Sequence, residues 1–408
     1  MSELIKHRGP DDHGNYADSG VALFSNRLSI IDLAGGHQPI FNEDENLLIV
    51  YNGEVYNFPK LKEDLEKKGH RFRTRTDTEV ILHGYEQYGS EIFGMLDGMF
   101  AVAIWNIREK RLVLARDRAG IKPLYYTKTL HGDFVFCSEI KGILAHPDVN
   151  VSVNDEGLYN LISLYYIPFE QTLFKGIFKL NPGYCYDSAT GKAEAYWRPP
   201  RSKPGFVPET TEVRKALEES VERQLISDVE VGSFLSGGLD TSTIVAFAVK
   251  HYPHKLKTFC MGFGMDDDEL EDAKAAAEYF GTEHYGFTLT DRSAMELYPQ
   301  MIWHSEQPKV NTYSWFVNEF ARKYVKVCLS GLGGDELFFG YPTSSRFAAF
   351  QTAQKLMKVP GSSLMSTFAS GKRKRVLSNL KDRASTYLTT VSPVYDSIDK
   401  EVFRDPVT

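Results

Sequence analysis

The chain has 408 residues, 42% hydrophobic and 25% charged, with a formal net charge of −7. That balance excludes a disordered or fibrous class and leaves room for two domains, each with its own core. The acidic sum argues against nucleic acid as the main partner, and the short basic run Lys372-Arg373-Lys374-Arg375 reads as a solvated loop or helix end. No apolar stretch reaches the roughly 18 residues a membrane span needs, and the opening residues carry no leader pattern. Cys137, Cys185, Cys260 and Cys328 lack C-x-x-C spacing, three of them within apolar runs, so a reducing, cytoplasmic setting is expected.

From about residue 20 to 195 the pattern is short strands interrupted by two helices. Leu47–Tyr51 reads as an apolar strand ending at Asn52-Gly53. Pro59 opens a charged helix closed by Gly69, and Asp77 begins a second helix as its cap. Strands Met99–Trp105, Arg111–Ala115, Leu124–Tyr126 and Phe134–Cys137 follow as an antiparallel meander, and Tyr184–Trp197 forms a last hairpin. Pro199-Pro200 through Pro204-Gly205 then breaks all periodicity, which predicts a first domain over 1–198, a linker over 199–210 and a second domain over 211–408. After the linker, helix and strand alternate: Glu212–Gln224, Val229–Leu235, Thr241–His251, Leu256–Phe263, Leu270–Phe280, Glu283–Phe287, Tyr313–Tyr324 and Val325–Leu329. Such alternation predicts a doubly wound parallel sheet, whose ligands sit beyond the carboxyl ends of its strands.

The most informative run is Phe234-Leu235-Ser236-Gly237-Gly238-Leu239-Asp240-Thr241-Ser242. An apolar strand meets two glycines and then a helix start, so consecutive N–H groups and the helix dipole can cradle an oxyanion. G-x-x-x-x-G-K-[ST] is absent, so this is no P-loop, and the run resembles the pyrophosphate loop of ATP pyrophosphatases. Ser330-Gly331-Leu332-Gly333-Gly334-Asp335-Glu336 repeats the same logic. Nucleotide phosphates imply Mg²⁺, which takes one or two carboxylates, a role Asp240 and Asp335 could share.

Several further motifs occur in order: His7-Arg8-Gly9-Pro10-Asp11-Asp12, Asn26-Arg27-Leu28-Ser29-Ile30-Ile31-Asp32, Tyr51-Asn52-Gly53-Glu54-Val55-Tyr56-Asn57, Thr76-Asp77-Thr78-Glu79-Val80, Ala115-Arg116-Asp117 and Cys137-Ser138-Glu139-Ile140-Lys141. Together with the Ser-Gly-Gly loop, they make the chain resemble the glutamine-hydrolysing asparagine synthetases across nearly its whole length. The resemblance implies an N-terminal α/β/β/α glutaminase domain of the N-terminal-nucleophile hydrolase type, built on antiparallel sheet, ahead of an ATP-pyrophosphatase domain. It implies that Arg27 binds the glutamine carboxylate, that Ile30 and Ile31 line the site, that Asn52 and Gly53 form the oxyanion hole, and that Glu54 and Asp77 hold the amino group. It further implies that Ser236, Gly237, Gly238, Asp240 and Ser242 bind pyrophosphate, that Phe234, Met261, Ser330 and Gly331 touch ATP, and that Asp240 and Asp335 lie at Mg²⁺. Read without the family, Asn52-Gly53 is a hairpin turn, Arg27 a surface charge, and Phe234 and Met261 core residues.

The implied reaction adenylates aspartate with ATP and lets glutamine-derived ammonia displace AMP, with glutamine, aspartate and ATP as partners and a homodimer left open. The chain departs from that family in three places. The family's nucleophile, an N-terminal Cys in Cys-Gly-Ile, has no counterpart at Met1-Ser2, so the polypeptide as written is expected not to hydrolyse glutamine and to be a piece of a longer one. The family's catalytic lysine region is expected beyond Thr408. Leu332 stands where the family commonly has glutamate, which leaves a different carboxylate acceptor open, as in β-lactam synthetase. Glu306, in Trp303-His304-Ser305-Glu306-Gln307-Pro308, is the candidate near the acceptor, with a plain loop carboxylate as the other reading. An inactive glutamine- or nucleotide-binding fragment is the non-enzymatic alternative. His7 belongs to its motif, and the remaining histidines, scattered singly, read as exposed or core-satisfied.

Overall fold

The computed structural model describes residues 1–201, 205–264, 268–308 and 313–342. The basic run at Lys372-Arg373-Lys374-Arg375 lies outside them. By contact density the chain forms two units, Met1–Ser152 with Phe169–Ser330, and Val153–Pro168 with Gly331–Thr408. The linker expected over 199–210 falls inside the first of these units.

In the N-terminal half, β1 (Asp12–Ala17) and β2 (Ala22–Arg27) form an antiparallel pair. Strands β3 (Ile40–Phe41), β4 (Leu47–Val55), β5 (Gly98–Asn106) and β6 (Arg111–Arg116) are four strands of a six-stranded sheet, with β3 at its edge. β7 (Tyr125–Lys128), β8 (Phe134–Cys137) and β9 (Phe178–Lys179) make a three-stranded sheet, while β10 (Tyr184–Asp187) and β11 (Lys192–Ala195) complete the larger one in the order β11-β10-β6-β5-β4-β3.

Alternation along β4, β5 and β6 sends side chains to two cores. Ile49, Val102, Ile104 and Val113 face Leu61 and Leu65 of α1 (Phe58–Lys67) and Val80 and Ile81 of α2 (Asp77–Tyr88). Leu48, Val50, Ala103 and Leu114 face Leu23, Leu124 and Leu180 from the smaller sheets. After α3 (Ile92–Met95), the helix α4 (Ile140–Leu144) covers the outside of β8 through Ile140 and Ile143. The layers are therefore helix, sheet, sheet, helix. Burying Leu65 completely contributes about 2 kcal/mol to holding α1 on its sheet.

Two local readings are corrected. Asn52-Gly53 is no turn: β4 continues to Val55, paired residue for residue with β5, so sheet pairing overrides the local turn preference. The cap of α2 is Thr76, whose hydroxyl accepts from the Glu79 N–H at 3.3 Å, and Asp77 is the first helical residue.

The second unit's described residues include α5 (Asp155–Leu164). The C-terminal half of the first unit carries α6 (Thr210–Gln224), β12 (Val231–Phe234), α7 (Leu239–His251), β13 (Lys257–Gly262), α8 (Leu270–Phe280) and β14 (Glu283–Thr288). Next come α9 (Asp291–Ser305), absent from the sequence reading, then α10 (Tyr313–Ala321) and β15 (Val327–Leu329). All three pairings in the order β14-β13-β12-β15 are parallel. Val231, Leu235 and Leu329 pack with α6, α7 and α8 on one face, and Phe234, Phe259 and Cys328 pack toward α10 on the other, as a doubly wound sheet requires. No helix among the described residues is long and apolar enough to cross a membrane, and all four cysteines are free thiols.

Candidate functional site

A cavity of about 1080 Å³ opens between the two sheet layers of the N-terminal half and is lined by Arg27, Ile30, Ile31, Asn52, Gly53, Glu54, Asp77 and Lys122 among others. Three chemistries meet in it. Arg27, half-buried at the end of β2, donates from Nη2 to the Ile31 and Asp32 carbonyls at 2.7 and 2.9 Å. The loop is held against the guanidinium by Asp32, which accepts from the Gly35 and Arg75 N–H groups at 3.1 and 2.8 Å, and by Gly36, where a Cβ would lie 2.2 Å from Nη2. With one nitrogen anchored, the remainder of the fork is oriented for a carboxylate. Arg27 is no loose surface charge.

Asn52 on β4 carries a buried side-chain nitrogen with no hydrogen-bond partner among the described residues. An orphaned amide donor in a cavity wall is costly unless a ligand oxygen completes it. Gly53 beside it passes so close to β5 that a Cβ would sit 2.3 Å from the Met99 carbonyl oxygen and 2.8 Å from Phe100 Cα. Asp117 fixes that stretch of β5, its carboxylate accepting from the Phe100 N–H at 3.2 Å while closing the turn to Lys122.

Asp77, at the start of α2, accepts from Tyr51 Oη at 2.7 Å and from the Val55 N–H at 2.9 Å. Burial pushes its carboxyl above the usual range despite those bonds. Burial, then the charge of Asp77, also pushes Glu54 up to about 8, against the opposing pull of Lys122 and Arg27. Two carboxyls of raised pKa facing one cavity form a pocket that lacks a cation. An ammonium group would supply it. The cavity wall thus offers a guanidinium at Arg27, two carboxyls at Glu54 and Asp77 and an amide donor at Asn52, a set complementary to the charges of a zwitterion.

Lys122, Tyr51 and Gln38 had no role in the sequence reading. Lys122 is half-buried, and its pKa is depressed by desolvation and by the charge of Arg8. Gln38 accepts from the Tyr51 N–H at 2.8 Å and from Ser25 Oγ at 3.1 Å, tying β2 to β4. The only sequence signal for either is its place beside proline, in Gln38-Pro39 and Lys122-Pro123.

In the C-terminal half the Ser-Gly-Gly run lies where β12 gives way to α7. Ser236 Oγ and Thr241 Oγ1 are 2.9 Å apart, and the Ser236 N–H donates to Thr241 Oγ1 at 3.1 Å, bracing the turn across its mouth. Gly237 has φ +81°, and a Cβ there would lie 2.7 Å from Asp272 of α8, so glycine is required twice over. Gly238 caps α7, whose first N–H groups have no intrahelical acceptor. Asp240 in the first turn makes no hydrogen bond or ion pair among the described residues, which suits a carboxylate reserved for a cation. Ser242 follows one turn in, its N–H bonded to the Gly238 carbonyl at 3.0 Å.

β12 lies between β13 and β15, so the strand order reverses beside it, and Ser236 and Ser330 follow the carboxyl ends of the two adjacent strands. Phe234 packs among Phe259, Ala321 and Val325, and Met261 among Leu289, Met301 and Phe316, so both belong to apolar clusters. Gly331 and Asp335 belong to the second unit, with Asp335 in the first turn of α11 (Gly334–Phe338). Glu306, at φ +69° after α9, accepts from the Lys141 N–H at 2.9 Å and pairs with Lys141 Nζ, which also lies 4.1 Å from the Trp303 ring. Its carboxylate is engaged by the Cys137–Lys141 segment.

Fold and site together define a two-part α/β protein, with a polar cavity in an amidotransferase-type layered half and a Ser-Gly-Gly loop on a doubly wound sheet in the other. Residues 1–197 match the glutamine amidotransferase domain family and residues 212–404 the asparagine synthase family. An asparagine synthetase (glutamine-hydrolysing) of Methanocaldococcus jannaschii is 37% identical over 400 residues, covering 89% of this chain and 76% of that protein. Asparagine synthetase (glutamine-hydrolysing) 1 of Bacillus subtilis is 39% identical over 352 residues, covering 84% of this chain and 55% of that protein. Number 3 of the same organism is 33% identical, with 84% and 60% covered. The chain belongs to the glutamine-hydrolysing asparagine synthetase family, and it spans 55% to 76% of the length of these relatives.

Proposed function

We propose that the chain carries the glutamine pocket and the ATP-pyrophosphate loop of an enzyme that transfers glutamine nitrogen to adenylated aspartate. The observation that carries this reading is the cavity in which an anchored arginine fork, an orphaned Asn52 amide and two cation-deficient carboxyls converge, a set matched to the two charged ends of an amino acid. Arg27 takes the α-carboxylate, Glu54 and Asp77 the α-ammonium, and Asn52 with Gly53 the oxyanion formed at the side-chain amide, while Ile30 and Ile31 form the apolar wall. In the complete reaction, ammonia split from glutamine by a nucleophile other than these residues attacks the acyl-adenylate and displaces AMP.

In the second half-site, Ser236, Gly237, Gly238 and Ser242 hold the β- and γ-phosphates of ATP, and Asp240 takes the Mg²⁺ that Asp335 is assigned on sequence. Mg²⁺, when bound, neutralises the departing pyrophosphate. Phe234, Met261, Ser330 and Gly331 are assigned to the rest of the nucleotide. The functional domains follow the two matched segments, and a homodimer is left open for the assembly. Glu306 enters the proposal as the residue tying the Cys137–Lys141 segment to the C-terminal half.

Aspartate-dependent exchange of isotope-labelled pyrophosphate into ATP by the complete gene product tests the reading. Exchange is expected with aspartate and absent without it. Leu332, 86% exposed where the family commonly carries glutamate, favours one other reading, a different carboxylate acceptor. Exchange driven by another acid and not by aspartate would establish that reading instead.

A further inference from the structure

Four side chains outside the glutamine cavity converge from three segments. Glu43 stands in the turn between β3 and β4, His70 follows α1 just past Gly69, and His83 and Glu86 lie three residues apart on one face of α2. Their ligand atoms all lie within 4.8 Å of one another. His83 Nδ1 is 3.1 Å from Glu43 Oε2 and 3.6 Å from Glu86 Oε2, and His70 Nδ1 is 3.4 Å from Glu43 Oε1 and 3.8 Å from Glu86 Oε2.

Three of the four ligands are also held from outside the cluster. His83 Nε2 faces Glu79 at 3.4 Å, and Glu79 is itself fixed by the Arg73 and Thr74 N–H groups at 2.8 and 2.7 Å. His70 Nε2 faces Gln87 Oε1 at 3.3 Å, and Glu43 accepts from the Arg71 N–H at 2.9 Å. In the tautomer that gives Nε2–H to Glu79, His83 turns an Nδ1 lone pair toward two carboxylates, the form a metal ion would select. His83 Nδ1 and Glu43 Oε2 are both buried with no hydrogen-bond partner among the described residues, although they are 3.1 Å apart. The His83 side chain is 1% exposed. Two electron-rich atoms held face to face in a buried place are completed either by a second proton on the imidazole or by a metal cation between them.

We propose that Glu43, His70, His83 and Glu86 form a four-coordinate site for a divalent transition cation, with zinc as its natural occupant. Bonds of about 2.1 Å in a tetrahedron place neighbouring ligand atoms about 3.4 Å apart, within the spread of the four separations given above. Two imidazoles and two carboxylates suit zinc better than magnesium or calcium, which take oxygen alone. Glu79 and Gln87 set the ring orientations as outer partners do in zinc sites. The ion would clamp the β3–β4 turn and the segment after α1 onto α2, the helix whose first turn presents Asp77.

The test uses the protein stripped with a chelator and titrated with zinc chloride by calorimetry. It is expected to bind about one zinc per chain with Kd below about 1 µM and to gain about 3 °C in Tm. Cobalt(II) in the same site is expected to give the strong visible absorption of a four-coordinate ion. His83 is buried, and its substitution could unfold the domain, so the variants are His70→Asn and Glu86→Gln, each expected to fold and to weaken zinc at least about 100-fold. No saturable zinc binding, unchanged affinity in both variants, or the weak spectrum of six-coordinate cobalt would each overturn the proposal.

Discussion

Replacing Arg27 with alanine is expected to weaken glutamine binding roughly 100-fold, because about 3 kcal/mol of charge-assisted, geometrically fixed pairing with the α-carboxylate disappears. The loss has a second source. Arg27 helps hold the Glu54 pKa down, so its removal leaves the ammonium-binding carboxyl more fully protonated. Arg27→Lys separates charge from shape: a lysine keeps the positive charge but cannot donate to the Ile31 and Asp32 carbonyls while presenting a fork to the ligand. It is expected to recover only part of the affinity. Calorimetric titration with glutamine checks both variants, and binding within threefold of the parent in Arg27→Ala would remove this residue from the site.

Gly237→Ala is expected to lower ATP affinity by a similar factor, roughly 100-fold, for a reason confined to the backbone. At φ +81° an alanine is strained, and its Cβ would lie 2.7 Å from the backbone of Asp272, so the loop must move by far more than a hydrogen bond tolerates. The loop N–H groups proposed to hold phosphate would then lose their common direction. Gly238 provides the contrast. Its φ of −67° is open to any residue, and the nearest atom to a Cβ is Ser236 Oγ at 3.2 Å, so Gly238→Ala is expected to leave the Tm within about 1 °C. Nucleotide binding followed by fluorescence, alongside thermal melts, distinguishes a distorted loop from an unfolded domain.

The strand-turn-helix at Ser236 was legible because three residue types at consecutive positions admit few conformations. The doubly wound sheet was legible from alternation of period, and β12, α7, β13, α8 and β14 lie close to their predicted spans. Asn52-Gly53 misled as a structural signal because the pair is a strong turn former in isolation, whereas nine consecutive pairings with β5 decide its conformation here. α9 escaped notice because Pro299 sits inside it and its start is a Thr290–Ser293 capping box without the usual glutamate. The Glu43, His70, His83 and Glu86 cluster escaped for a different reason. No short spacing links its members, and only the return of the chain through β3, α1 and α2 brings His70 and His83 within 5.1 Å, ring to ring. Histidines read singly were in fact a pair.

The most direct test of the glutamine pocket follows from Glu54. Because burial and then Asp77 raise its pKa to about 8 in the free protein, above the ordinary 4.5, the folded state holds a proton that the unfolded chain releases between those values. The sign follows from linkage: this group costs stability as pH rises from about 4.5 toward about 8, and an ammonium ligand relieves that cost by favouring the carboxylate. Glutamine should therefore expel a proton on binding below about pH 8. Calorimetric titration of glutamine near pH 7 in two buffers of different ionisation enthalpy measures this directly. The account predicts saturable binding with release of close to one proton and an affinity that climbs with pH up to about 8; no binding, or binding indifferent to buffer and pH, would contradict it.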